Sequence, residues 1–180
     1  MPGIHLDIVS VTNDPELGLM PPLMTEVHLY WKSACRFNFA PRIEDFHLDQ
    51  IPFRALPWCA VVNVHDQPMD FIYRFFGTSR ARMQGEELTG KSVNAMKLSR
   101  FADKAFAEYR KVVETRSPVH ISTDFTDELG GHYDVYRAPI CDKNDVVARI
   151  LTFTEGGPNF SRIYTIYGTD ASKYYPTFNN

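Results

Sequence analysis

The segment from Asp70 to Val93, DFIYRFFGTSRARMQGEELTGKSV, constrains the fold more than any other part of the chain. Residues 71–76 are bulky on both faces of the predicted strand, so both faces need a covering layer. Gly77 ends this run, and Thr78 or Ser79 can cap the short helix that follows it. The segment therefore predicts a strand inside a layered fold, followed directly by a helical turn and an ELTGK loop.

Periodicity elsewhere predicts two longer helices and four further strands. Eight apolar residues at helical spacing predict a long helix over Ser99–Thr115. One apolar stripe predicts an N-terminal helix from Leu23 to about Asn38, whereas residues 1–22 are expected to be irregular and 41–57 to be a connector. Pro139 favours an edge position or a bulge. The predicted strands are Trp58–His65, Asp70–Phe76, His120–Asp127, His132–Ile140 and Val146–Thr154.

This order of strands and helices resembles a PAS domain, a small sensory module whose antiparallel sheet folds around a ligand pocket. The phrases RFFGTSR and ELTGKS resemble the PAS domains found as nearly stand-alone bacterial proteins, and the resemblance covers roughly Leu56 to Glu155. It implies an α+β fold: a PAS-like five-stranded antiparallel sheet with helices on one face, plus the N-terminal helix. Residues 1–55 then form an N-terminal extension, 56–155 the PAS-like domain, and 156–180 an aromatic tail that packs on it.

Composition and net charge limit the classes of partner that we expect for this chain. Hydrophobic residues make up 44% of the 180 residues and charged residues 23%, which suits one domain with a full core. A formal net charge of −3 gives no electrostatic reason to expect binding to nucleic acid or to an anionic membrane. The sequence shows neither a secretion signal nor an apolar run that could span a bilayer. We therefore expect a cytoplasmic protein.

Motifs for metal, nucleotide or nucleophilic chemistry are weak. The six histidines share no metal-ligand spacing, and Cys35, Cys59 and Cys141 are expected to be buried thiols. Residues 85–92, GEELTGKS, match the spacing of a phosphate loop, but the buried strand before it and the long helix after it are missing. No metal ligand or catalytic residue is predicted for a binding module of this kind.

The PAS resemblance places ring and sulfur side chains around a central cavity, although a well-filled core would use the same residues. We expect a mostly apolar pocket of roughly 300 Å³ or more. Its expected lining is Phe75, Met83, Met96, Phe101, Tyr109 and Tyr136. Arg74, Ser122 and Thr152 are expected to orient the ligand, and for Arg74 a structural ion pair is an alternative.

The ligand and any cofactor stay open. Haem-binding relatives use a histidine on the long helix, and flavin-reactive relatives use a cysteine in a short helix. Residues 98–116 contain no histidine and residues 77–83 contain no cysteine, so haem and covalent flavin are both disfavoured.

The leading interpretation is a PAS-type module, not an enzyme, that senses a small molecule or mediates protein association and signals through a partner or dimerisation. Tyr30 and Trp31 lie on the stripe of the N-terminal helix, so we expect a homodimer through this helix. The alternative is a small isomerase- or dehydratase-like enzyme on a cone-like α+β fold, with His120 and Asp124 as its acid-base candidates. A long helix between the second and third predicted strands would favour the PAS arrangement.

Overall fold

The computed structural model describes residues 5–13, 15, 19–126 and 130–168. Short 3-10 turns at 43–45, 48–50, 56–58, 93–95 and 160–162 connect the main elements. Within the described ranges, no helix combines the length and the apolar character needed to cross a membrane. The strands are β1 His5–Asn13, β2 Cys59–Asp66, β3 Met69–Phe76, β4 Val119–Thr126, β5 Gly131–Cys141 and β6 Val147–Gly156; the α-helices are α1 Pro22–Cys35, α2 Thr78–Gln84, α3 Ser99–Thr115 and α4 Ile163–Tyr167.

All these strands form one antiparallel sheet in the order β1-β4-β5-β6-β2-β3. The five predicted strands are confirmed with ends that differ by one or two residues, and α3 has the predicted bounds. Because α3 connects β3 to β4, it lies between the second and third predicted strands. The fold is therefore α+β and PAS-like, with a sixth strand added at one edge.

The added strand corrects the expectation that residues 1–22 are irregular. β1 pairs with β4 from His5 opposite Thr126 to Asn13 opposite Val119. A register shift between Ile8 and Ser10 interrupts the pairing. A bulge of this kind breaks the two-residue alternation of side chains, which is the signal used to recognise a strand in a sequence.

The inner face of the sheet is the face that packs against α2, α3 and α4. The amphipathic α3 buries Phe101, Ala105, Tyr109 and Val112 there. In the C-terminal segment, Phe160, Ile163, Tyr164 and Tyr167 complete the same core, whereas residues 169–180 of the predicted tail lie outside the described residues. From β2 to β6 this face contributes Ala60, Val62, Phe71, Tyr73, Phe76, Val119, Ile121, Phe125, Tyr133, Val135, Val147 and Ile150.

The outer face of the sheet packs against α1 of the same chain. Met24, Val27 and Trp31 are buried against it, and Trp31 Nε1 donates a hydrogen bond of 2.8 Å to the carbonyl oxygen of Pro139. Pro139 lies beyond the end of β4, where β5 pairs only with β6, as its predicted edge position requires.

This packing corrects the expected dimer interface. Trp31 is only 4% exposed and belongs to the core of its own chain, so it is not available as an anchor between two copies. The hydroxyl of Tyr30 donates a hydrogen bond of 2.7 Å to the backbone oxygen of His47. The predicted apolar stripe of α1 is confirmed, but the surface that buries it is the outer face of the sheet.

Candidate functional site

Five of the nine predicted ligand-binding residues lie on the inner face. Met83, Met96 and Phe101 line a small cavity between the sheet and the helices. Tyr109 and Thr152 lie next to it and contact each other, because the hydroxyl of Thr152 donates a hydrogen bond of 3.1 Å to that of Tyr109. The inner layer thus brings together the part of the predicted site that comes from α2, α3 and β6.

The other four residues lie elsewhere. Tyr136 and Phe75 pack in the outer core with α1, Ser122 lies on the outer face of β4, and Arg74 is exposed. Val61 pairs with Phe75 while Val62 pairs with Tyr73, so Arg74 is the extra residue of a bulge. That bulge turns Phe75 away from the inner face, which simple alternation along β3 could not predict.

The inner cavity is much smaller and more polar than expected. Its volume is about 40 Å³, and aromatic side chains fill most of the remaining space between the sheet and α3. This corrects the expected pocket of 300 Å³ or more with an apolar wall. The polar residues in its lining are Arg80, Gln84, Lys104, Glu108, Arg137 and Thr154.

Among the described residues, Glu108 is the only acidic one in that lining, and two cations converge on it. Arg137 donates to Glu108 Oε2 from Nε at 2.8 Å and from Nη2 at 2.7 Å, while Lys104 pairs with Glu108 Oε1 one turn earlier on α3. Burial favours the neutral acid, but the charges of Arg137 and Lys104 outweigh it and lower the pKa of Glu108. Glu108 is thus held as a buried carboxylate.

Arg137 is itself fixed from three sides. Its Nη1 donates a hydrogen bond of 2.8 Å to Thr152, and its guanidinium lies 4.1 Å from the centre of the Tyr109 ring. The sequence carries one signal for this network. Glu108 stands on the apolar stripe of α3, three residues after Ala105 and four before Val112, where an unpaired acid would be costly.

Arg80 contrasts with Arg137 because no carboxylate pairs with it among the described residues. Its Nη1 donates a hydrogen bond of 2.6 Å to Thr154, and its guanidinium lies 5.4 Å from the centre of the Phe76 ring. Arg80 is 5% exposed, and its Nε is buried without a hydrogen-bond partner. One turn later on α2, Gln84 Oε1 is also buried and unpartnered.

A groove on the surface adjoins this cavity. It has a volume of about 580 Å³ and runs between β1, β4 and α3, with Ile8, Val11 and Ile121 as its apolar wall. Lys104 and Glu108 line both the groove and the inner cavity. Their ion pair therefore forms the partition between the two spaces.

A second polar cluster, the outer network, lies on β4 and β5 at the outer face of the sheet. Asp134 accepts hydrogen bonds from His120 at 2.8 Å and from Ser122 at 2.8 Å. His132 contacts Asp124 through Nδ1 at 2.7 Å and Asp134 through Nε2 at 3.1 Å. These five residues form a continuous chain of hydrogen bonds.

The outer network contains the elements of a nucleophilic triad but is arranged for another role. Ser122 Oγ lies 3.3 Å from His132 Nε2, the nitrogen that would have to accept its proton. That nitrogen faces Asp134, and Ser122 donates to Asp134 instead. Burial disfavours the charged ring, but the bonds to Asp124 and Asp134 outweigh it and raise the pKa of His132. Because the Ser122 hydroxyl donates to Asp134 and His132 Nε2 faces the same carboxylate, the serine proton is directed to an acid rather than to the imidazole, and we interpret the network as structural.

This geometry also corrects the pair named for the enzyme alternative. His120 contacts Asp134, and Asp124 contacts His132, so His120 and Asp124 do not pair with each other. In the described residues, no three histidine, cysteine or acidic side chains are placed to hold a metal ion. The three cysteines are buried free thiols, as predicted, and burial raises the pKa of Cys35 and of Cys59 to about 12.

Comparison with solved structures gives distant matches. No protein-family model and no curated protein matches this chain. A solved structure from work with a flavin analogue on the light-oxygen-voltage domain mechanism is 11% identical, covers 61% of this chain and 84% of its own, and has a TM-score of 0.42. An RNA-binding light-oxygen-voltage receptor is 10% identical, with 92% of this chain and only 40% of its own covered, and a TM-score of 0.42. The PAS-like character of this chain rests on its own strand order and on the position of α3.

Proposed function

We propose that this protein is a sensory module of the PAS type that binds a small molecule in the inner cavity and passes the signal to a partner. The observation that carries the proposal is the pair of buried, unpartnered polar atoms in the cavity wall, Arg80 Nε and Gln84 Oε1. An unsatisfied buried polar group costs about 1–3 kcal/mol, and such groups are rare in native structures. A bound ligand supplies the missing partners.

The size of the cavity limits the ligand. A flavin is named with one of the similar structures, but a space of about 40 Å³ holds only a few non-hydrogen atoms, and none of the three cysteines lines it. A small polar molecule suits this cavity, and a large ring system does not.

Within this proposal, residues 56–155 form the sensing domain and residues 1–55 supply α1 and β1 as covering elements. Free thiols at Cys35, Cys59 and Cys141 support a reducing, cytoplasmic location. The output is a contact with a partner or with a second copy of the chain. Because Trp31 is buried, that contact would use the exposed side of the α1 region, where Leu29 is 47% exposed and Phe37 is fully exposed.

A cavity-filling variant tests the binding function. Ala105 is buried and lines the cavity, so Ala105→Leu occupies the space that the ligand needs. Ala95, exposed in the 3-10 turn before the helix, gives the control Ala95→Leu. We expect small polar compounds to raise the melting temperature of the wild type and of Ala95→Leu, but not of Ala105→Leu.

Native mass spectrometry provides an independent measurement of a retained ligand and of the oligomeric state, since one chain has a mass of 20.7 kDa. If no compound stabilises the wild type and no added mass is found, the sensing proposal is wrong. A single-chain mass in light scattering at all concentrations would exclude self-association as the output and leave a different partner.

A further inference from the structure

We propose that the ligand of the inner cavity is a small oxyanion held by Arg80. This inference rests on the proposed function and names the chemical class of its ligand. Of the residues that the structure describes, the lining contains three cationic side chains, Arg80, Lys104 and Arg137, and a single carboxylate, Glu108. The formal charge of the lining therefore has an excess of two positive charges, which a neutral ligand would leave uncompensated.

Arg80 is the cation that lacks a counter-charge. Arg137 and Lys104 both contact Glu108, whereas the hydrogen bond of Arg80 goes to the neutral hydroxyl of Thr154. An unpaired buried charge is strongly disfavoured, and a guanidinium binds the oxygens of carboxylate-like anions through adjacent N–H groups. The unpartnered Nε leaves one edge of Arg80 available for such an anion.

Gln84 and the cavity volume narrow the class further. A cavity of about 40 Å³ compares with the roughly 10–15 Å³ that a single buried water needs on the same kind of measure, so the anion has only a few non-hydrogen atoms. Gln84 Oε1 is an acceptor that needs a donor. An oxyanion that keeps an O–H group, such as hydrogencarbonate or glycolate, satisfies both Arg80 and Gln84.

The groove supplies a route of suitable charge. Arg100, Lys104 and Lys111 line it together with Asp103 and Glu108, so cations outnumber acids along the path. At its inner end the ligand meets the ion pair of Lys104 and Glu108. Burial lowers the pKa of Lys104 even though Glu108 favours its charged form.

The test compares salts and matched neutral compounds on the full chain. Calorimetric titration and thermal melting use sodium hydrogencarbonate, glycolate and formate, with glycolamide and formamide as neutral analogues and sodium chloride to hold ionic strength constant. The variants are Arg80→Gln, which removes the charge, and Arg80→Lys, which keeps the charge but loses the planar fork. Arg82→Gln is the control, because Arg82 is exposed on the same helix.

We expect at least one oxyanion to bind the wild type and Arg82→Gln, with hydrogencarbonate or glycolate preferred to formate. Arg80→Gln should weaken binding by about tenfold or more, as for loss of a charge-assisted hydrogen bond. If circular dichroism shows that Arg80→Gln is unfolded, the binding measurement on Arg80→Lys decides the question. We expect a similar loss of oxyanion binding for that variant.

Two outcomes would overturn the inference and leave the proposed function in place: equal binding of the neutral analogues, or binding of other compounds that Ala105→Leu abolishes while all the oxyanions fail. Oxyanion binding that Arg80→Gln does not weaken would also overturn it. Absence of any binding to the wild type would overturn the inference and the proposed function together.

Discussion

The inner and outer faces of the sheet each hold a cluster of polar and ionisable side chains, but the two clusters differ in how completely their members are paired. On the outer face, His120, Ser122 and His132 all contact Asp134, and His132 also contacts Asp124. On the inner face, Glu108 pairs with Arg137 and Lys104 but not with Arg80, and two polar atoms of the described cavity wall, Arg80 Nε and Gln84 Oε1, have no partner. The outer network is complete without a ligand, whereas the inner one is complete only with a further group.

This difference in pairing distinguishes a structural cluster from a candidate functional site more clearly than the types of residue do. The outer network has the histidine, serine and acids that usually suggest catalysis, yet its pairing leaves no free base. The inner cluster has the aromatic and aliphatic surroundings of an ordinary core, yet it contains the unmet hydrogen bonds. Completeness of pairing is therefore the better guide to the site in this molecule.

The largest loss of stability is expected when the contact between α1 and the outer face of the sheet is disrupted. Trp31→Asp removes a buried ring and its bond to Pro139 and places a charge in the core, so we expect a loss of at least about 4 kcal/mol in the free energy of unfolding. Urea unfolding measures it, with Leu29→Asp on the exposed side of α1 as the control. A Trp31→Asp protein of normal stability would show that α1 does not depend on this contact.

The next largest effect tests the paired part of the inner cluster. Glu108→Gln leaves Arg137 and Lys104 buried without their shared counter-charge, and we expect a loss of about 3 kcal/mol in the free energy of unfolding. Glu114→Gln, at an exposed ion pair with Arg110 on the same helix, should change it by less than about 0.5 kcal/mol. Equal effects of the two substitutions would contradict the central role of Glu108.

A smaller, pH-dependent effect is expected in the outer network. The native pKa of His132 is raised, so its pairing stabilises the fold fully below the unfolded pKa of about 6.5 and is lost as the pH rises through the native pKa. Asp134→Asn removes one of its two carboxylates. We expect the native pKa of His132 to fall and the free energy of unfolding to drop by about 1 kcal/mol at pH 6, and by less at pH 9.

An NMR titration of the histidine side chains and urea unfolding at both pH values check this prediction. Asp66→Asn, at the exposed end of β2, is the control and should leave both quantities unchanged. A wild-type His132 that titrates below an ordinary histidine would show that the two carboxylates do not control it.

The smallest change in stability is expected at Arg80, the cation that has no counter-charge among the described residues. Without ligand, Arg80→Met replaces a buried charge that has no counter-charge by an apolar side chain of similar length. We expect the free energy of unfolding to stay within about 1 kcal/mol of the wild type or to rise, in contrast to Glu108→Gln. A loss as large as that of Glu108→Gln would show that Arg80 is fully satisfied by Thr154 and Phe76.

The sequence predicted most of the fold because its periodicities are local. The alternation of strands and the stripe of α3 set element bounds within one or two residues. The exceptions have local causes too, because bulges at Arg74 and between Ile8 and Ser10 interrupt the alternation. β1 was missed, and Phe75 was assigned to the wrong face, for this one reason.

The candidate site was predicted only in part. Met83, Met96 and Phe101 follow from the position of their elements, but pairing across the core depends on contacts between distant residues. Glu108 and Arg137 are 29 positions apart, and Arg80 and Thr154 are 74 apart. A single sequence shows that such residues lie on inward-facing positions, but not which of them finds a partner.

The strand β5 has a consequence for how this chain tolerates change in length. Every residue from 133 to 141 is buried, and neighbouring side chains meet different layers: Tyr136 contacts His28 on α1, and Arg137 contacts Glu108 on α3. Inserting or deleting one residue upstream of these positions would exchange their faces, and would bring a guanidinium against α1 and a phenol against Glu108. A one-residue insertion or deletion in β5 therefore cannot be absorbed locally. Substitutions, which keep the length of the strand, leave each side chain in its own layer.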